Sequence, residues 1–332
     1  MTAFFAGLGP WMNMLLFAVG ALVIDRGAKV LVNSSVSISR KTGIPKIVVG
    51  ATIMSVATTF PEFTVSVVAT IMGINDMAVG NVVGSCVCNI GLVCGLCLLV
   101  LPVAIDRRDA LEKSLIMLAG GIVVVAFAFT GTIPRWAGIL LLVAFAGYVA
   151  RTASTARRGI VPDKETIFTG RISGDLLRFA AGMACVGLAS TLLVQTGQQI
   201  AIWLGVPSLI IGLTLVALGT SLPELVTALR SALMGQSDLS VGNVIGANIL
   251  NILWALGACS VIRPLTLVRQ NLVLDGPFML VMMIGMVLSV AFSRKLGRVH
   301  GAVFVVIYAV YITLMLVFFT GTVPAAAPAA AI

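Results

Sequence analysis

One histidine, three tyrosines and charged side chains at only 10% of positions leave this 332-residue chain poor in the groups on which soluble chemistry depends. A soluble domain carries about 25% charged residues. The single histidine, His300, falls in a short loop between the last two apolar runs. No Ser-His, Asp-Asp or His-Glu-x-x-His arrangement is present. An intramembrane protease or phosphatase needs a nucleophile with a base, or a catalytic metal, so the enzyme classes are set aside. The six cysteines, at 86, 88, 94, 97, 185 and 259, lie mostly within apolar segments. They have no His or Cys partners at metal-ligand spacing, and they read as small packing residues. The net charge of +9 does not mark a nucleic-acid surface, because the basic residues are scattered through short loops without interleaved aromatics.

What the chain has instead is apolar length. Hydrophobic residues make up 59% of it, and runs near the ~20 residues needed to cross a bilayer recur throughout. Ten spans are expected, at about 12–34, 44–73, 77–101, 112–130, 133–150, 175–196, 206–235, 239–261, 271–292 and 299–320. The first run lacks a basic flank and leads directly into another span, so it is not read as a cleavable signal. With the N-terminus outside, the inner loops carry fifteen Lys and Arg residues. The outer loops carry only Arg135, Arg263 and Arg269. This bias predicts both termini outside and the central linker in the cytoplasm.

The second half repeats the first. VVGATIMSVATTFPEF at 48–63 matches IIGLTLVALGTSLPEL at 210–225, and MAVGNVVGSCVCNI at 77–90 matches LSVGNVIGANILNI at 239–252. Both pairs are offset by 162 residues. From Pro45 to Gly95, 17 of 51 positions are identical without a gap, including Pro61 with Pro223, Glu62 with Glu224, Asn81 with Asn243 and Asn89 with Asn251. Apolar bias does not align proline, glutamate and asparagine, so the halves are duplicates. Each has five spans, an odd number, and the second copy therefore enters the membrane inverted. The expected architecture is an all-α membrane protein of ten transmembrane helices in two inverted-topology five-helix repeats. The first repeat is 1–150, the linker 151–174 and the second repeat 175–322. The Ala/Pro tail at 323–332 is expected to be disordered. Folds of this kind place a transported ion at the midplane, between the copies.

Glu62 and Glu224 sit in the middle of apolar runs. A charge at that depth costs about 2.5–3.5 kcal/mol even on insertion scales, and no Lys or Arg shares either motif. The pair supplies charge −2, matching one divalent or two monovalent cations. Pro61 and Pro223 are expected to break the helical ladder and free carbonyls near Ala57, Thr58, Gly219 and Thr220. Hydroxyls at Thr58, Thr59, Thr220 and Ser221 complete a set of hard oxygens, the type Ca²⁺ and Na⁺ prefer. Asn89 and Asn251 can add amide oxygens. Asn81 and Asn243 read equally as interhelical glue, Asp76 and Asp238 as solvated turn residues, and Asp25 as a local partner of Lys29.

The pattern G-x-T-x₅-T-[ST]-x-P-E, followed by V-G-N-[VI]-[VI]-G-x₄-N-I, resembles the α-repeats of the sodium/calcium exchangers, in the calcium:cation antiporter superfamily. The match covers about 45–96 and 207–258. The short linker resembles the prokaryotic form. The resemblance implies a secondary antiporter of the cytoplasmic membrane that exchanges Ca²⁺ for Na⁺ by alternating access and uses no cofactor. Its implied partners are these ions and the lipid bilayer. A Ca²⁺/H⁺ or K⁺-coupled antiporter stays open as an alternative. The family's acidic ligands map onto Glu62 and Glu224. Its hydroxyl ligands map onto Thr58, Thr59, Thr220, Ser221 and Ser85, its backbone carbonyl ligands near Ser55 and Ala217, and its central polar pair onto Asn89 and Asn251. The chain departs from the family pattern at Asn251, commonly aspartate, at Ala247, usually serine, at Thr58-Thr59-Phe60 and at Cys86, where asparagine is expected.

Overall fold

The computed structural model describes residues 2–44, 46–158, 172–205, 217–293 and 295–319. After a short helix at Thr2–Gly7, ten helical rods follow among these residues. In the first half they are α1 (Pro10–Thr42), α2 (46–71), α3 (Asn75–Val100), α4 (Arg107–Thr130) and α5 (Arg135–Arg158). In the second they are α6 (Ile172–Trp203), α7 (217–233), α8 (237–262), α9 (Asn271–Phe292) and α10 (Arg298–Phe319). Eight of the ten are long and apolar enough to cross a membrane. The expected start of α7, most of the linker and the tail lie outside the described residues.

Burial sorts the rods. The most apolar stretches of α3 and α8 are each 78% buried inside the protein, whereas that of α10 is 11% buried. A rod that is apolar on every side yet exposed requires a hydrocarbon solvent. The molecule is a multi-pass membrane protein with α3 and α8 at its centre.

The duplication is visible bond by bond. After α2 the chain turns through Gly73 (φ +79°), and after α7 through Gly235 (φ +69°). In the first turn Ile74 N donates to Ala69 O at 2.8 Å and Gly73 N to Thr70 O at 3.1 Å. In the second, Gln236 N donates to Ser231 O at 2.8 Å and Gly235 N to Ala232 O at 2.9 Å. Each residue is displaced by 162 from its counterpart. Both are helix ends closed by a left-handed glycine, a conformation that an L side chain resists.

The halves interlock rather than sit side by side. The third helix of each half carries the fifth helix of the other. A Cβ at Gly301 of α10 would lie 2.6 Å from Gly95 O of α3, and one at Gly138 of α5 would lie 2.8 Å from Gly257 O of α8. Short strands tie the same ends. β1 (Val103–Ala104) pairs antiparallel with β4 (Lys295–Leu296), and β2 (Thr132–Ile133) with β3 (Leu265–Thr266). The α3–α4 and α9–α10 connections therefore share one end of the bundle. The α4–α5 and α8–α9 connections share another pairing, as the inverted repeat requires.

Three details differ from the sequence expectations. The helix of α1 continues to Thr42, well past residue 34, because Ser34 and Ser35 return their hydroxyls to Val30 O and Leu31 O instead of ending it. In α5 the helix continues to Arg158, with Arg151 paired to Glu112 of α4. Asp25 does not pair with Lys29; its partner is Arg230 of α7, at 3.3 Å.

The crossing of α2 over α8 is a close backbone approach. A Cβ at Gly246 would meet Ala51 Cα at 2.5 Å and Ala51 O at 2.6 Å, and one at Gly50 would meet Leu239 O at 2.6 Å. Backbone cannot yield as a side chain does. Gly246→Val is therefore expected to destabilise the protein by at least about 1–3 kcal/mol. Detergent-solubilised protein should show a lower thermal midpoint or lose its monodisperse peak; a wild-type melting curve would contradict this packing.

Candidate cation site

Glu62 of α2 and Glu224 of α7 are both fully buried, and their carboxyl groups lie within interaction range of each other. The two prolines act differently from one another. Pro61 sits inside a continuous helix, Ser55–Ile71, so the expected break is absent there. Its ring removes one amide from the ladder, and the chain absorbs this without interruption. In α7 the helix does break. Ala217–Thr220 ends at Ser221 (φ −89°, ψ 6°), and a new helix, Leu222–Leu233, begins with Pro223 in its first turn. A proline there forfeits only an amide that no helical carbonyl needs. Glu224 occupies the same first turn, where unpaired amides and the helix dipole favour a negative charge.

Several hydroxyls lie near these acids. Thr59 Oγ1 donates to Glu224 Oε1 at 3.2 Å. The Ser221 hydroxyl lies beside the Glu62 carboxyl, and Thr58 beside that of Glu224. Thr58, Thr59, Ser85 and Ser221 are all buried. Ala217 opens the first described piece of α7. Ser55 is fully buried, and its hydroxyl donates to Gly50 O at 2.6 Å and to Asn243 O at 3.0 Å.

Asn81 and Asn243 resolve as glue. Asn243 Oδ1 accepts from Thr58 Oγ1 at 3.4 Å, and its Nδ2 donates to Thr227 Oγ1 at 3.4 Å. Asn81 Oδ1 accepts from Thr220 Oγ1 at 3.4 Å, and its Nδ2 donates to Glu62 O at 3.1 Å and Ser66 Oγ at 2.9 Å. Thr58–Asn243 and Thr220–Asn81 are the same bond in the two copies. Each ties the glutamate helix of one half to the central helix of the other.

Two features escape sequence reading. Short π-helical turns occupy Asn89–Cys94 in α3 and Leu250–Leu256 in α8, at the paired asparagines. Such turns rotate the side chains that follow and recur at functional sites, but no local residue pattern announces them. The other is Asn248, whose Oδ1 accepts from Asn89 Nδ2 at 3.1 Å.

Several buried polar atoms here have no hydrogen-bond partner. They are both carboxylate oxygens of Glu62, Oε2 of Glu224, Oδ1 of Asn89, Oγ of Ser221, and both Oδ1 and Nδ2 of Asn251. None of the described ion pairs includes either glutamate; Lys41, Lys113, Arg151, Arg178 and Arg230 are paired with other acids. Among the described residues no three His, Cys, Asp or Glu side chains group as a metal cluster. A cation held here is therefore held by two carboxylates supplemented by neutral oxygens, a hard-ion environment.

A duplicated, inverted helical bundle with two unpaired acids at its centre defines an intramembrane cation transporter. The family model described as sodium/calcium exchanger protein matches twice, at residues 12–153 and 175–317, and the chain belongs to that family. It is 30% identical to an uncharacterised membrane protein of Methanocaldococcus jannaschii over 89% of this chain and 95% of the relative. It is 26% identical to the sodium/calcium exchanger MaX1 of Methanosarcina acetivorans, over 91% and 98%. Structures of the sodium-calcium exchanger NCX_Mj, one soaked with 10 mM Na⁺ and zero Ca²⁺ and another with 10 mM Na⁺ and 10 mM Sr²⁺, align with TM-score 0.81 at 29% identity. They cover 92% of this chain and 99% of theirs.

The crossed bonds predict a stability effect separate from transport. An interhelical hydrogen bond in a membrane contributes about 0.6 kcal/mol on average and up to ~1.7. Asn243→Leu removes its side-chain bonds to Ser55, Thr58 and Thr227, so a loss of about 1–2 kcal/mol is expected. A thermal midpoint unchanged in Asn243→Leu would show that the crossed bonds do not clamp the halves.

Proposed function

We propose that the chain is a secondary antiporter that exchanges Ca²⁺ for Na⁺ by alternating access, with the ions held between α2, α3, α7 and α8. The observation that carries this reading is the convergence of Glu62 and Glu224, one from each inverted half, fully buried with three carboxylate oxygens unbonded and no cationic side chain among the described residues paired to them. Two carboxylates neutralise one Ca²⁺. They can equally be neutralised by Na⁺ in the same oxygen set, so the two species compete for one location. Competition at a site exposed to one side at a time couples the fluxes. Membership of the exchanger family, and the exchanger names of MaX1 and NCX_Mj, support the same ions.

The residues assigned to ion ligation are the carboxylates of Glu62 and Glu224, the hydroxyls of Thr58, Thr59, Thr220, Ser221 and Ser85, the amide oxygens of Asn89 and Asn251, and the backbone carbonyls near Ser55 and Ala217. The protein uses no enzymatic cofactor; the metal ions are its cargo. It sits in the cytoplasmic membrane with both termini outside and the 151–174 linker in the cytoplasm. That orientation rests on the loop charges.

Reconstituted in liposomes, the wild type should take up ⁴⁵Ca²⁺ when an outward Na⁺ gradient is imposed, and not with K⁺ or pH gradients alone. Uptake driven by a pH gradient and indifferent to Na⁺ would replace Na⁺ with H⁺ as the coupling ion. Glu62→Gln and Glu224→Gln should each abolish exchange while eluting and melting as folded protein. Retained exchange in either variant would refute the site assignment. For orientation, a cysteine placed at residue 165 in a background lacking the native cysteines should react with an impermeant maleimide only in inside-out vesicles. Labelling of intact cells would invert the proposed topology.

A further inference from the structure

We propose that Asn248 is a positioning residue that aims the amide oxygen of Asn89 into the cation site, and that Cys86 leaves the matching oxygen of Asn251 unaimed. The inference rests on the exchange reading above and adds to it a reason for the two halves of the site to differ.

Asn248 is fully buried. Its Nδ2 faces Cys86 O at 3.4 Å and Met117 Sδ at 3.6 Å. Committing the NH₂ side of a planar amide in that direction fixes where its oxygen points. Oδ1 of Asn248 is turned to Asn89 and accepts from Asn89 Nδ2 at 3.1 Å. The NH₂ of Asn89 is thereby occupied, and its Oδ1, buried and otherwise unbonded, is the end left for a cation. Without that restraint, the amide can present either its oxygen, which attracts a cation, or its NH₂, which repels one. Residues that orient ligands in this way typically change metal affinity 10- to 100-fold when removed.

Cys86 and Asn248 are separated by the repeat offset of 162 residues, and they touch. Besides the Asn248 Nδ2 contact, Cys86 Sγ lies 4.0 Å from Asn248 O. A residue in contact with its own counterpart lies on the pseudo-two-fold axis. An asparagine at 86 would stand to Asn251 as Asn248 stands to Asn89. The thiol is a weak donor and a weak acceptor, and it is directed at Asn248 O. Asn251 accordingly has both Oδ1 and Nδ2 buried without a partner. The two central amides, identical in sequence, are thus unequal as ligands. Asn89 is pre-organised and Asn251 is not. The conservative-looking substitution at the axis sets that difference.

The test is equilibrium ⁴⁵Ca²⁺ binding to the purified full-length protein in detergent, which needs no exchange. Asn248→Leu should weaken Ca²⁺ binding about tenfold or more. The Asn89→Leu/Asn248→Leu double variant should bind no more weakly than Asn89→Leu alone, because Asn248 acts through Asn89. Independent losses that multiply in the double variant would make Asn248 a general packing residue and overturn the proposal. Cys86→Asn should tighten Ca²⁺ binding by giving Asn251 a partner, and only while Asn251 is present. It also keeps the proposal testable if Asn248→Leu does not fold, since unchanged or weaker binding in Cys86→Asn would overturn it. Wild-type protein that binds no Ca²⁺ would instead sink the exchange reading itself, so the two failures are distinguishable.

Discussion

Everything in this molecule is arranged around two carboxyl groups placed where hydrocarbon forbids them. Glu62 and Glu224 are fully buried, within interaction range of each other, and outside every described ion pair. Like charges in a weakly polar interior repel, and each loses its hydration. Such a pair is tolerable only beside something positive or protonated. Among the described residues no lysine or arginine pairs with either glutamate, so the compensating charge or proton comes from what the site takes up. The scaffold can be read as the means of holding that demand in place without satisfying it permanently. An internal salt bridge would occupy the carboxylates that a cation needs.

Holding it in place is the work of the crossed repeats. The glutamate helices α2 and α7 come from opposite halves, and each is tied by threonine and asparagine to the central helix of the other half. The α2–α8 crossing is close enough that backbone meets backbone at Gly50 and Gly246. Small residues at such crossings let dispersion and interhelical bonds replace the hydrophobic drive that lipid does not provide. Because the threonine–asparagine clamp on one half has its counterpart on the other, equivalent contacts support the site from both sides, as access that alternates requires of an inverted repeat.

Much of this was legible in the sequence, and the pattern of what was not is physical. The spans, the duplication and the acids at 62 and 224 follow from hydropathy and from identities that apolar bias cannot produce. The second half's helix break also follows, because proline leaves few options. The same reasoning predicted a break at Pro61 that the structure does not have, since a helix can bend around one missing amide. Asp25 shows a different limit. Local spacing offered Lys29, but tertiary packing supplied Arg230 from a distant helix. The π turns at Asn89–Cys94 and Leu250–Leu256 have no local signature. Asn248 was missed for a more instructive reason. A search for repeated residues finds what the halves share, and at this position they share nothing.

That blind spot matters because on a pseudo-two-fold axis each residue contacts its own counterpart, so a difference between the copies is felt within a single contact. Away from the axis, each residue meets a partner from the other copy, and identical sequences give identical contacts twice over. On the axis a residue meets its own counterpart, and a hydrogen bond between counterparts needs a donor on one and an acceptor on the other. Two asparagines can meet that need symmetrically, because each amide carries both a donor and an acceptor. Cys86 and Asn248 instead differ, a one-sided solution in which the amide gives its NH₂ to Cys86 O and keeps its oxygen for Asn89. The cost of that solution falls on Asn251, whose amide finds no partner. Asymmetry between the two halves of the site is thus built in at the axis itself, and the symmetric pair of glutamates is presented to a cation by two unequal walls.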